Sequence, residues 1–373
     1  MIYLDNAATT KPSKAAIDAF LKASEITWSN PSSVHAFGEE AAFLLKKARE
    51  NIKGYLEIKN GEIYFTSAAT ESINLFFMSA LKPDDHIIIS SYEHAAVYEN
   101  ARRFEEMGGH VSYIKPIDGT IRAIDVVDAI KPNTRMVAIM YVNNEIGAIN
   151  PVKEIAKAVK MKNRDILFFV DGVQAVGKIK VDIDDINCNG FAVSAHKFHG
   201  MKGTGLLYLN GVSLKPQILG GGQEMGLRSG TENVAGILAM EAALKEAVEK
   251  LDVNRAKVTH LRETFLDGLK DLDGYKINTP ENSVPHILSI SFEKSKGEVL
   301  VHMLEEDEIY VNTSSACGKI GHKKSRTLTS LGLSDDLING TIRFSFQDDD
   351  RVEDMVFASE KVIKAVERIR EII

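Results

Sequence analysis

The sequence is poor in thiols. Its 373 residues include two cysteines, Cys188 and Cys317. Two are too few for a disulfide framework, and their spacing fits neither a zinc ribbon nor an iron–sulphur cradle. Such sparing use of cysteine suits a reducing, cytoplasmic setting. No apolar run approaches the roughly 18 residues that a membrane span needs. The opening MIYLDNAATT carries Asp5 where a signal peptide would have an apolar core, so no secretory leader is expected. An excess of positive charge is also missing: 45 Lys and Arg face 52 Asp and Glu, for a net charge of −7. Nucleic acid as the main partner would require a basic face, which this balance does not supply, although a local basic patch stays open. Internal repeats and low-complexity segments are absent.

What is present reads as a globular α/β protein. The apolar fraction is 44% and the charged fraction 26%, and the length suffices for two domains. Seven short β-rich runs are expected as strands: 62–67, 86–90, 110–114, 135–142, 166–171, 190–195 and 205–209. Amphipathic stretches between them, such as 71–81, 94–107 and 151–162, read as helices. Strands apolar on both faces and separated by helices imply a mostly parallel sheet covered on both sides. After about residue 230 the rhythm changes. Long helices are expected over 235–251 and 253–272, then strands over 286–292, 308–313 and 341–346. A helix near 297–305 and a closing helix from about Arg351 complete a second, smaller α+β domain, with the break near residue 255.

Ligands of open α/β sheets gather at the carboxyl ends of the strands. One such end carries Asp171, and another carries Ser194 followed by His196 and Lys197. A third, IYFTS, leads into AATES, whose helix N-terminus would offer free N–H groups to a phosphate. Taken singly, each has an ordinary reading. Asp171 suits a helix N-cap, AATES a capping stretch with Glu71, and Lys197 a snorkelling surface lysine. His196 and His199 lack a supporting ligand at short spacing, so no metal is expected. Taken together, the three ends match the needs of pyridoxal 5′-phosphate: a phosphate cradle, a carboxylate for the pyridinium nitrogen and a lysine for the aldehyde. A buried amine is disfavoured as a cation, which makes it available as nucleophile and base.

Ten ordered motifs then carry a resemblance over nearly the whole chain: YLDNAATT, NPSSVHAFG, FTSAATESIN, EHAAV, VNNEIGAI, VDGVQAVGK, SAHKFHG, GGGQEMGLRSGTEN, SSAC and TIRFSF. The sequence resembles the cysteine desulfurases of the class V aminotransferase family, the branch serving nitrogenase maturation and iron–sulphur cluster assembly. The resemblance implies a fold type I, aspartate-aminotransferase-like transferase. Its large domain over 15–255 holds pyridoxal 5′-phosphate on a mostly parallel seven-stranded sheet. A small α+β domain is formed by 1–14 and 256–373. Lys197 resembles the Schiff-base lysine, Asp171 the partner of the pyridinium nitrogen and Gln174 the donor to the phenolic oxygen. Ala69 and Thr70 resemble the phosphate cradle, helped by Ser194 and His196, and His94 the histidine stacked on the ring. Thr231 resembles the residue that reaches the phosphate of a neighbouring subunit, which implies a homodimer. Asn144 and Arg343 resemble the pair that grips the substrate carboxylate, a task suited to a planar guanidinium.

Cys317 resembles the persulfide-forming cysteine. It precedes GKIGHKKSR, and its neighbours Lys319, Lys323, Lys324 and Arg326 create an electropositive setting that favours thiolate; Cys188 reads as a small buried hydrophobe. The implied reaction converts L-cysteine to L-alanine. Lys197 takes the Cα proton, the Cys317 thiolate takes the sulphur with help from His94, and a sulphur-acceptor or iron–sulphur scaffold protein receives it. The sequence departs from the family pattern at GKIGHKKSRTL, after SSAC, and at FSFQDDD. This leaves substrate preference and acceptor open. A selenocysteine lyase or another class V enzyme would share Lys197 and Asp171 without depending on Cys317. A catalytically silent scaffold is the alternative of another kind.

Overall fold

The structure, a computed structural model, describes residues 1–313 and 324–372. A short strand, β1 (Ile2–Tyr3), opens the chain. Seven strands follow: β2 (Glu62–Thr66), β3 (His86–Ser90), β4 (His110–Ile114), β5 (Thr134–Met140), β6 (Leu167–Asp171), β7 (Gly190–Ser194) and β8 (Gly205–Leu209). They form one sheet in the order β2-β8-β7-β6-β5-β3-β4. Neighbours from β7 to β4 run parallel, and β8 is antiparallel to both β7 and β2. The second half adds β9 (Tyr275–Ile277), β10 (Ile287–Phe292), β11 (Ile309–Tyr310), β12 (Asn312–Thr313) and β13 (Thr341–Ser345). An antiparallel sheet β12-β13-β10-β9 results, while β11 pairs in parallel with β1.

The helices are α1 (Lys14–Ile26), α2 (Ala36–Tyr55), α3 (Ala69–Ala80), α4 (Ala95–Glu106), α5 (Ala123–Asp128), α6 (Val152–Lys162) and α7 (Ile183–Ile186). They continue with α8 (Val234–Glu249), α9 (Leu251–Gly268), α10 (Gly297–Glu306), α11 (Arg326–Ser330), α12 (Asp335–Asn339) and α13 (Val352–Ile372). Alternate strand residues explain why the large sheet reads as apolar throughout. Ile88, Val137, Ile139, Phe168 and Val170 enter one core with α2, α6 and α8. Their neighbours Ile87, Ile89, Met136, Ala138 and Phe169 enter another with α3 and α4. The period of two in a strand therefore fills two cores rather than one. A third core joins β10 and β13 to α9, α10 and α13, together with Ile2 and Leu4.

Two strand expectations change in detail. The run 135–142 ends as a strand at Met140, because Asn143 turns the chain, its Oδ1 accepting the N–H groups of Glu145 and Ile146. The run 308–313 is divided: Ile309 and Tyr310 pair with β1, whereas Asn312 and Thr313 pair with β13.

Candidate active site

The carboxyl ends of β2, β6 and β7 meet at a cavity of about 390 Å³. Ala69, Thr70, His94, Asn144, Asp171, Gln174, Ser194, His196, Lys197 and Arg343 all line it. A larger cleft of about 460 Å³ shares Ala7 and Lys197 with it, but neither Asp171, Gln174, His94 nor the start of α3. The candidate residues thus meet in the smaller one.

Lys197 closes a single 3-10 turn that follows β7. Its Nζ donates to the carbonyls of Ala7 and Ala8, at 2.7 Å each. Asp171, the last residue of β6, is buried, and its Oδ1 accepts the Val173 N–H at 3.0 Å. Burial pushes its carboxyl up to about 6, opposed by that N–H and by the charge of Lys197. Gln174 Nε2 donates to Ala7 O at 2.9 Å, and its Oε1 accepts from Lys178 Nζ at 3.0 Å.

Helix α3 starts at Ala69 after Ala68, which gives no side-chain cap. Glu71 instead accepts the N–H and hydroxyl of Ser67. No side chain caps the helix, so the first N–H groups of α3, which have no intrahelical acceptor, remain to serve an anion. Gly205 lets this turn sit close, since a Cβ there would lie 2.7 Å from the Ala68 carbonyl carbon. His94 is the N-cap of α4, its Nδ1 accepting the Ala96 N–H. Burial, then the charges of Lys197 and Arg326, push it down to about 4, so the ring is neutral at pH 7 with its proton on Nε2. His196 contacts Thr9 Oγ1 at 3.1 Å and is also held near 4, first by burial.

Arg343 Nη2 donates to Asp5 Oδ1 at 2.8 Å, and Nη1 to the backbone carbonyl of Asn144 at 3.0 Å. Its Nε is buried and has no partner among the described residues. Thr231 is exposed and is not part of the cavity wall. The preceding segment is tied to α3 by Arg228, whose Nε lies 2.8 Å from Glu71 Oε1. Cys317 lies outside the described residues. Cys188 is buried, and burial pushes its thiol up to about 12. Among the described residues no group of three or more His, Cys, Asp or Glu could hold a metal, and no helix is long and apolar enough to cross a membrane.

Three functional groups escaped the sequence reading. Glu93 is buried in the wall, its Oε1 accepting from Ser90 Oγ and the Met140 N–H. Burial pushes its carboxyl up to about 8, and Asp171 adds to the rise. The only signal was its place beside His94. Lys178 is buried behind Gln174, and its Nζ also donates to Lys197 O at 3.2 Å. Burial, then the Lys197 charge, lower it to about 7. Arg326 lines the cavity although its sequence context gave it no individual role there.

The sequence profile described as Aminotransferase class-V matches residues 2–355. A protein named cysteine desulfurase IscS from Dictyoglomus turgidum is 36% identical, covering 100% of this chain and 96% of its own. A NifS/IcsS protein homolog from Lactobacillus delbrueckii is 38% identical, over 95% of this chain and 94% of its own. Among solved structures, a NifS-like protein superposes with a TM-score of 0.89 at 35% identity, covering 100% and 98% of the two chains. One described as SspA in complex with cysteine gives 0.82 at 30% identity, covering 93% and 99%.

Proposed function

We propose, from the premise that the chain belongs to the class V aminotransferase family, that it is a cysteine desulfurase. It converts L-cysteine to L-alanine and carries the sulphur as a persulfide. The family depends on pyridoxal 5′-phosphate, and the residues here fit that group. The observation that carries the reading is the meeting of three things on one cavity: the uncapped start of α3, the buried carboxyl of Asp171 and the amine of Lys197. When bound, the cofactor would supply an electron sink for carbanion chemistry at the substrate's Cα.

Ala69 and Thr70, with Ser194 and His196, would hold its phosphate, and Asp171 would keep a proton on its ring nitrogen. Gln174 Nε2 would donate to its phenolic oxygen. Arg343 and Asn144 take the substrate carboxylate, fixing the Cα–H bond toward Lys197. Lys197 Nζ removes that proton and later returns one. His94, neutral with its proton on Nε2, serves proton transfer at the substrate's sulphur. The Cys317 thiolate then forms an S–S bond as the substrate's Cβ–S bond breaks. The carbon fragment regains protons and leaves as alanine.

In this reading the protein is cytoplasmic and works as a homodimer, Thr231 completing the site of the neighbouring subunit. It delivers its sulphur to an acceptor or iron–sulphur scaffold protein. Mass measurement of Cys317 after incubation with L-cysteine tests the core of it. One added sulphur atom is expected, lost in Cys317→Ser, which should still load cofactor. Alanine formation from cysteine that persists in Cys317→Ser would favour a class V lyase instead.

A further inference from the structure

We propose that Arg326 is a second anion-binding group of this pocket, selecting amino acids whose β-substituent is negatively charged, the thiolate of cysteine among them. The inference rests on the desulfurase reading above and deepens it. Arg326 stands in the stretch where the sequence departs from the family pattern.

Its position is fixed from both sides. Ser325 Oγ donates to Glu145 Oε2 at 2.5 Å and Thr327 Oγ1 donates to Glu145 Oε1 at 2.8 Å. Ser325 also caps α11 by accepting the Leu328 N–H. Glu145 directly follows Asn144, so the backbone around Arg326 is pinned to the loop that carries the carboxylate grip. The guanidinium carbon lies 4.2 Å from the centroid of the Tyr98 ring. Stacking of that kind holds the plane but uses none of the five N–H donors. Nη1 makes a long, half-exposed ion pair with Glu99 Oε1 at 3.9 Å, too far for a hydrogen bond, and Nε is buried without a partner among the described residues.

The charges around it favour an anion. Arg326, Arg343 and Lys197 share the cavity with Glu93, Glu145 and Asp171. Burial pushes the Glu93 carboxyl up to about 8, so it is mostly protonated at pH 7, and Glu145 is occupied by two hydroxyls, which leaves Asp171 as the acid facing three cations. The two histidines are neutral at pH 7. Arg343 is engaged by Asp5 and Asn144 at the carboxylate position, which leaves Arg326 for an acidic group on the other end of a short amino acid.

Binding rather than turnover separates this from a purely structural rivet on Tyr98. The protein loaded with pyridoxal 5′-phosphate is titrated with L-cysteate and with L-alanine, following cofactor absorption. The wild type should bind cysteate about ten-fold more tightly, the size expected of one charge-assisted hydrogen bond. Arg326→Gln should lose that preference with its alanine affinity unchanged, and Arg326→Lys should keep part of it. A preference that survives in Arg326→Gln, or a parallel loss for both amino acids, would overturn the proposal. If neither amino acid perturbs the wild-type spectrum, the desulfurase reading itself falls and this inference with it.

Discussion

Lys178 directs two N–H bonds at oxygens behind the pocket, Oε1 of Gln174 and the carbonyl of Lys197. Gln174 accepts from Lys178 through Oε1 and donates through Nε2 to Ala7 O on the cavity wall, so its amide nitrogen is the end turned toward the cavity. The side chain that would meet a phenolic oxygen is thereby fixed as a donor. Lys178→Met keeps the length and removes the charge, stranding a buried oxygen at a cost of about 1–3 kcal/mol. Fluorescence titration should show about ten-fold weaker binding of pyridoxal 5′-phosphate, with a shifted absorption maximum in the loaded protein. An unchanged affinity and spectrum would remove Lys178 from this role. Glu93 offers a second test. Its carboxyl keeps a proton in the folded protein up to about pH 8, while an ordinary glutamate loses it near 4.5. Between those values the unfolded chain binds fewer protons, so rising pH costs the native state about 1.4 kcal/mol per unit at most. Glu93→Gln does not titrate. In urea unfolding of the apoprotein, the variant should therefore gain on the wild type from pH 5 to pH 8. A constant gap would show that Glu93 ionises normally inside the fold.

Among the elements, β8 and the start of α3 approach each other closely. Gly205 opens β8 against Ala68, where a Cβ would meet backbone atoms that have little room to move. Gly205→Ala should therefore cost about 1–3 kcal/mol by overpacking, lower the Tm and weaken cofactor binding, since the displaced turn opens α3. A lower Tm with unaltered affinity would show that the strain relaxes elsewhere. The same neighbourhood shows why the sheet was legible in the sequence. Strands such as β3 and β6 are covered on both faces, so each is a short unbroken apolar run with few competing readings. Asp171, Lys197 and the start of α3 were legible for the related reason that each follows such a run. By contrast, β1 is two residues long and owes its existence to β11, far along the chain. Glu93, Lys178 and Arg326 look like ordinary surface charges in one dimension. Only the packing of distant segments puts them against the cavity.

At the scale of the molecule, the first ten residues join the two halves. Ile2 and Leu4 belong to the core of the second half. Asn6 Nδ2 and the Ala7 N–H reach Ser345, and the carbonyls of Ala7 and Ala8 receive Lys197. The Thr10 N–H closes the seam on His196 O. Arg343 and Lys197 are thus referenced to one segment, through Asp5 and through Ala7. Thr231, by contrast, is exposed and absent from the cavity wall. A homodimer that places Thr231 of one subunit over the phosphate of the other makes a definite prediction. Lys197→Ala and Thr231→Ala subunits are each impaired alone. Unfolded together and refolded with cofactor, they form hybrids in which one site has an intact lysine and receives an intact threonine. That site should desulfurate cysteine, so the mixed pool should exceed the mean of its parents. A pool that equals this mean, with hybrids verified by mass, would show that Thr231 acts within its own chain.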